Sequence, residues 1–305
     1  MTYERFTWPM WKGQGNPETG LIEDAVLGPF VDGLREAKIG VQVKELNKVR
    51  NEIIRDPKWT WDQTKEFTRE VWAHILPAQR DRYDSMHARF PTDMLPDGDA
   101  PHMTSGGHCG DEGIKFRCDG SLSDPVYMAH ESGHLMALGQ ADHARRNVVE
   151  LQAFFGQEAA YGYLIGKGEP LAKQARIHRL DEYSRLTMHI NQAVELLGEH
   201  KDAEGHSKED SALWYMHGHP FAGLVIISAY KNFKQMSPAQ KAAALEVLYE
   251  GGSQTTYHDI LGTFGVDDMR KAGLDAANHL RDEAKALGFW KAPEAKATPG
   301  SKPTP

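Results

Sequence analysis

Helices joined by polar turns, with one short strand among them, are what the 305-residue sequence predicts. Apolar residues recur at three- and four-residue intervals along most of the chain, as in Phe67, Val71 and Ile75, which gathers them on one helix face. Helix-opening groups recur as well. Thr60 with Gln63, Ser237 before Pro238 and Thr256 before Asp259 each bring a side-chain acceptor to the amides of a first turn. Ile114, Phe116 and Cys118 instead alternate with Lys115 and Arg117, the period of a half-buried strand.

In chain order, residues 1–20 are rich in aromatic residues, Pro and Gly and read as an arm that packs through Phe6, Trp8 and Trp11. A helix over about 29–55 carries Phe30, Leu34, Val41, Val49 and Ile53, interrupted by Gly33 and Gly40 and ended at Asp56-Pro57. The helix opened at Thr60 should kink or end at Pro77. Over 90–113 Pro, Gly, Asp and His displace any helical period, so a long ordered loop is expected to lead into the strand. Further helices are expected over 148–165 and 170–197, then a polar loop over 200–211 and a helix begun by Pro220. The helix from Pro238 should stop at Gly251-Gly252, and residues 292–305 have the composition of a disordered tail. The expected organisation is one domain over 1–291, a helical part (1–100) followed by a site-bearing part (101–291).

The net charge of -8 is spread without a Lys/Arg stripe, which argues against a nucleic-acid partner. No run approaches eighteen apolar residues and the opening segment has no leader pattern, so a soluble, cytoplasmic protein is expected, with no membrane partner. Cys109 and Cys118 are the only cysteines. They suit reduced thiols better than a disulfide framework, and their spacing is not that of a zinc knuckle.

The chemistry concentrates in PVYMAHESGHLMALG, residues 125–139. His130 and His134 are one helical turn apart, with Glu131 between them. Two imidazoles on one face can grip one ion while the glutamate points at its open position, the arrangement of a zinc hydrolase. Asp124 and Pro125 suit the helix start, and Gly139 its end. The helix over 148–165 must supply a third ligand, and it offers Glu150 and Glu158. Glu158 lies among Leu151, Phe154, Phe155 and Ala159, where a buried carboxylate needs a partner, whereas Glu150 at the opening turn has the backbone dipole. His102, His108 and His206 read as ordinary loop histidines.

Several blocks over 105–285 resemble the oligoendopeptidase F and thimet oligopeptidase family of zinc peptidases. GGHCGDEGIKFRCDGSLSDPVYMAHESGH is similar to that family's strand, turn and HExGH helix, including Gly133 before the second histidine. YEGGSQTTYHDILGTFGVDD resembles its helix end, Gly-Gly-Ser turn and following short helix. The resemblance implies a mainly α, zincin-like metallopeptidase domain with a small sheet beside the zinc helix. It implies one zinc ion held by His130, His134 and Glu158, the last about two dozen residues beyond the second histidine. It also makes HGHPFAG the counterpart of a segment that closes over substrate, with His219 and Phe221 about where the family tends to place Tyr. Fewer residues precede the site than in typical members, which carry a long N-terminal channel wall.

The expected function is therefore a zinc endopeptidase acting on oligopeptides. Glu131 serves as general base, His217, His219 or Tyr215 steadies the oxyanion, and the strand 114–118 either pairs with substrate backbone or lies inside the sheet. A zinc carboxypeptidase is the rival enzyme and would need a cation such as Arg117, Arg145 or Arg146 for the terminal carboxylate. A non-catalytic peptide-binding relative is the rival class, and it would have no reason to keep Glu131.

Overall fold

The capping groups open helices where the sequence places them. Thr60 Oγ1 accepts the Gln63 N–H at 3.2 Å while Gln63 Oε1 accepts the Thr60 N–H at 2.9 Å. Reciprocal bonds of this kind join Ser237 to Gln240 and Thr256 to Asp259, satisfying amides that a helix start otherwise leaves open. The computed structural model describes residues 24–37, 41, 43–53, 58–95, 106–110, 112–138, 146–199, 211–251 and 255–291.

Among these residues lie eleven helices and three strands. The first half holds α1 (Asp24–Glu36), α2 (Val43–Ile53), α3 (Trp61–Ile75), α4 (Pro77–Arg89), β1 (Thr92–Met94), β2 (Gly106–Gly110), β3 (Gly113–Arg117) and α5 (Ser123–Ala137). The second half holds α6 (Arg146–Gly166), α7 (Leu171–Glu199), α8 (Ser211–Gln235), α9 (Pro238–Glu250), α10 (Tyr257–Thr263) and α11 (Met269–Leu287). No helix among the described residues is long and apolar enough to cross a membrane.

Some elements differ from expectation for identifiable reasons. The helix expected over 29–55 is two, α1 and α2, and Gly40 between them is outside the described residues, as are the arm 1–20, Gly139, His102, His206 and the tail 292–305. Pro220 does not begin α8 but lies within it. The loop expected over 90–113 contains β1 and β2; Gly106, Gly107 and Gly110 give β2 no alternating pattern to read. The sheet order is β1-β3-β2, with β3 parallel to β1 and antiparallel to β2. Asp124 does not cap α5. Its carboxylate accepts the Asp119 and Gly120 N–H groups at 3.2 and 2.8 Å, tying the turn after β3 to the helix.

Helix α5 lies between the sheet and α6. On the sheet side Cys109, Ile114 and Phe116 pack with Met128, Leu135 and Leu138. On the other side the two helices meet backbone to backbone. A Cβ on Gly133 would stand 2.4 Å from the Gln152 carbonyl oxygen, and one on Gly156 would stand 2.3 Å from that of Ala129. Gly33 and Gly273 make a similar crossing of α1 on α11, so Gly33 is a contact point and not a break. The main core, including Trp72, Phe154, Phe155, Tyr161, Phe221 and Tyr249, joins α5, α6 and α8 to the helices around them.

A buried polar chain also anchors the start of α5. Ser123 Oγ is 2.8 Å from His178 Nε2, and the Tyr161 hydroxyl is 2.7 Å from His178 Nδ1. Burial pushes the His178 imidazole down to about 3, with Arg50 and Arg185 acting in the same direction.

Two predictions follow from this packing. Gly156→Ala should destabilise the protein by about 1–3 kcal/mol, because the added methyl meets a carbonyl and not a movable side chain; urea unfolding measures it, and an unchanged midpoint would remove the close crossing. The second concerns pH. Unfolded His178 titrates near 6.5 and folded His178 near 3, so between these values the unfolded chain binds more protons. Its contribution is complete above about pH 6.5 and is lost as pH falls towards 3, by about 2 kcal/mol at pH 5. Urea titrations at pH 7 and 5 should show this loss, and His178→Gln should lessen the difference between the two pH values.

Candidate metal centre

One face of α6 lies against the HESGH segment of α5. Glu150 and Gln157 are seven residues apart, two turns along one face. Glu150 Oε2 is 3.7 Å from His130 Nε2, and Glu150 Oε1 is 4.0 Å from His134 Nε2. One ligand atom from each of the three residues lies within 4.8 Å of the other two. From α8, His219 Nε2 comes within 3.9 Å of Glu150 Oε2.

These separations exceed hydrogen bonds yet approach those around one ion. Ligands 2.0–2.1 Å from a tetrahedral metal stand about 3.3 Å from each other, so a small inward movement would complete the geometry. Among the described residues, Glu150 Oε2 is buried without a hydrogen-bond partner. The donor set of two imidazoles and a carboxylate fits a divalent cation.

The electrostatics point the same way. Burial pushes the Glu150 carboxyl up to about 7. It pushes Glu131 up to about 8, helped by the Glu150 charge and opposed by a hydrogen bond from the Cys109 backbone N–H. Burial lowers His130 to about 4 and His219 to about 3, and it lowers His134 as well, with His130 and His219 adding to that last shift. Neutral imidazoles are the ligating form, and a cation would relieve the two buried carboxylates.

Glu158, expected as the third ligand, is turned elsewhere. Arg179 grips both carboxylate oxygens, Nε at 3.0 Å from Oε2 and Nη2 on Oε1, and the Tyr183 hydroxyl donates to Oε2 at 2.7 Å. Its need for a partner was real, but α7 meets it. Glu150 and Glu158 diverge by about 80° around the helix axis, so the rotation of α6 that presents Glu150 to α5 turns Glu158 towards α7. The shorter spacing, sixteen residues from His134 to Glu150, is the one that reaches the histidines.

Other expected residues divide similarly. His219 is at the centre, with the Phe154 ring 4.7 Å from its ring and 4.9 Å from that of His130. Tyr215 and His217 belong to α8, but their side chains lie outside the described residues. Phe221 is buried against Phe30 and Tyr257, 5.0 and 5.2 Å between ring centroids. Cys109 and Cys118 are not joined in a disulfide and lie outside the ligand group, and His108 is on β2 and also outside it. The strand 114–118 cannot add a peptide, because β3 is paired on both sides. The edge nearest Glu131 is β2, whose Cys109 N–H bonds that carboxylate.

Three contributors escaped the sequence: Gln157, the Cys109 amide and Tyr257. Tyr257 on α10 is buried close enough to Glu150 for that charge to add to burial in raising its phenol. An aromatic residue on a helix reads as core, and a backbone amide leaves no mark in a sequence. Comparison with protein-family models, curated proteins and solved structures finds no match to the chain.

The two glutamates separate by experiment. Glu150→Ala should abolish stoichiometric divalent-metal loading. Glu158→Ala should retain metal but lose about 3–5 kcal/mol of stability, because Arg179 is left buried and unpaired. Elemental analysis and urea unfolding of both purified variants check this, and metal loss confined to Glu158→Ala would return the ligand role to that residue.

Proposed function

We propose that the chain is a zinc-dependent endopeptidase that hydrolyses oligopeptides, as its resemblance to the oligoendopeptidase F and thimet oligopeptidase family suggests. The observation that carries this reading is the position of Glu131: it sits on the same helix as both histidines, beside a two-histidine, one-carboxylate cluster and next to a sheet edge. Zinc suits that donor set, and in a site with an open position it supplies Lewis acidity and a bound water ionising near neutral pH.

The chain's own groups perform the rest. Glu131 takes the proton from the attacking water and returns it to the leaving amine. His219, neutral and facing Glu150 from α8, donates from its ring nitrogen to the developing oxyanion. Along β2, alternate residues direct their backbone groups away from β3. Cys109 and Gly107 share that parity, so the Cys109 carbonyl and the Gly107 amide are positioned to pair with an extended peptide without reading its side chains. This edge takes the role expected of the strand 114–118.

A mixture of blocked and unblocked peptides incubated with zinc-loaded protein, with and without chelator, tests the reading by mass spectrometry. Internal cleavage that disappears with chelator is expected, whereas terminal trimming alone would favour a carboxypeptidase and no cleavage a binding protein. Glu131→Gln should keep its metal and lose about 10²- to 10⁴-fold in turnover. Parent-level cleavage by that metal-loaded variant would remove the assigned base.

A further inference from the structure

Gln157 is 1% exposed, and its side chain has one described hydrogen bond: Oε1 lies 3.0 Å from His130 Nδ1. Its Nε2 is buried without a partner among the described residues. A position requiring only bulk between α5 and α6 would be filled at less cost by Leu or Met, since a buried amide with one end unsatisfied is unfavourable. The bond to His130 is what the amide contributes.

That bond has a direction. With the amide oxygen facing it, Nδ1 carries the imidazole proton and leaves the Nε2 lone pair bare on the side of Glu150. Glu150 and Gln157 are two turns apart on the same face of α6, so one rigid helix addresses both nitrogens of His130. Gly156 next to Gln157, pressed on the Ala129 carbonyl, sets the depth at which the amide reaches the ring.

We propose that Gln157 is a positioning residue that holds His130 in the orientation and tautomer required to bind the metal, an inference that rests on the metal-centre reading above. A neutral acceptor does this without placing a third carboxylate beside Glu131 and Glu150. Partners of this kind characteristically change metal affinity by about 10- to 100-fold when removed.

The test uses the full chain with zinc alone, its affinity measured by competition with a chromophoric chelator. Gln157→Met, close in volume and unable to accept, should weaken zinc binding about 10- to 100-fold, with circular dichroism of the metal-free protein unchanged. Gln157→Glu, which restores an acceptor, should bind within a few-fold of the parent or more tightly. Cobalt substitution adds a readout that packing would not move: the visible absorption of the bound ion should shift in Gln157→Met and return towards the parent in Gln157→Glu. Unchanged affinity in a folded Gln157→Met, or equal losses in both variants, would overturn the proposal. Failure of the parent itself to bind zinc would instead overturn the metal centre, and this inference with it.

Discussion

Everything at the candidate centre depends on how closely α5 and α6 approach. Gly133 and Gly156 remove the two side-chain methyls that would hold the helices apart, and the carbonyls of Gln152 and Ala129 occupy the space. At ordinary separation Glu150 could not come within 4 Å of both histidines, nor Gln157 within hydrogen-bonding distance of His130. The glycine inside HESGH is therefore a packing residue whose effect is chemical. It lets a second helix bring a carboxylate and an amide to opposite nitrogens of one imidazole.

Around this contact the acids are sorted by helix face. α7 takes Glu158 into a pair with Arg179 and Tyr183, and its Asp181 pairs with Arg50 and Arg185. Among the described residues no Lys or Arg pairs with Glu150 or Glu131, and the only basic groups Glu150 faces are imidazoles. Paired acids serve the fold, because breaking a buried pair strands a charge. Unpaired buried acids are costly to the fold, and residues under that kind of stress concentrate where a ligand is bound or a proton is moved.

The small sheet has a comparable division of labour. β3 is its interior strand and packs Ile114 and Phe116 onto α5, while β2 closes it on the side of Glu131. One layer of apolar contacts thus places a strand edge beside Glu131. The Asp124 carboxylate fixes the turn from β3 into α5, so strand and helix hold their relative position from both ends of that turn.

Local chemistry was legible in the sequence. The helix starts at Thr60, Ser237 and Thr256, the period of α3, α6 and α7, the strand at Ile114 and the pairing of His130 with His134 all arise from interactions between residues near in the chain. Such interactions depend on spacing alone. Which glutamate meets the histidines was not legible, because both candidates occupy one helix and only the positions of α5 and α7 around it give each face a partner. β2 was hidden for a related reason: its glycines have no side-chain period, and its pairing with β3 and Glu131 exists only once the chain has folded. The sequence by itself determined the two imidazoles and Glu131 on one helix; tertiary packing decided on Glu150, on Gln157 behind His130, and on the strand edge next to Glu131, since each of these is a contact between segments that only folding brings together.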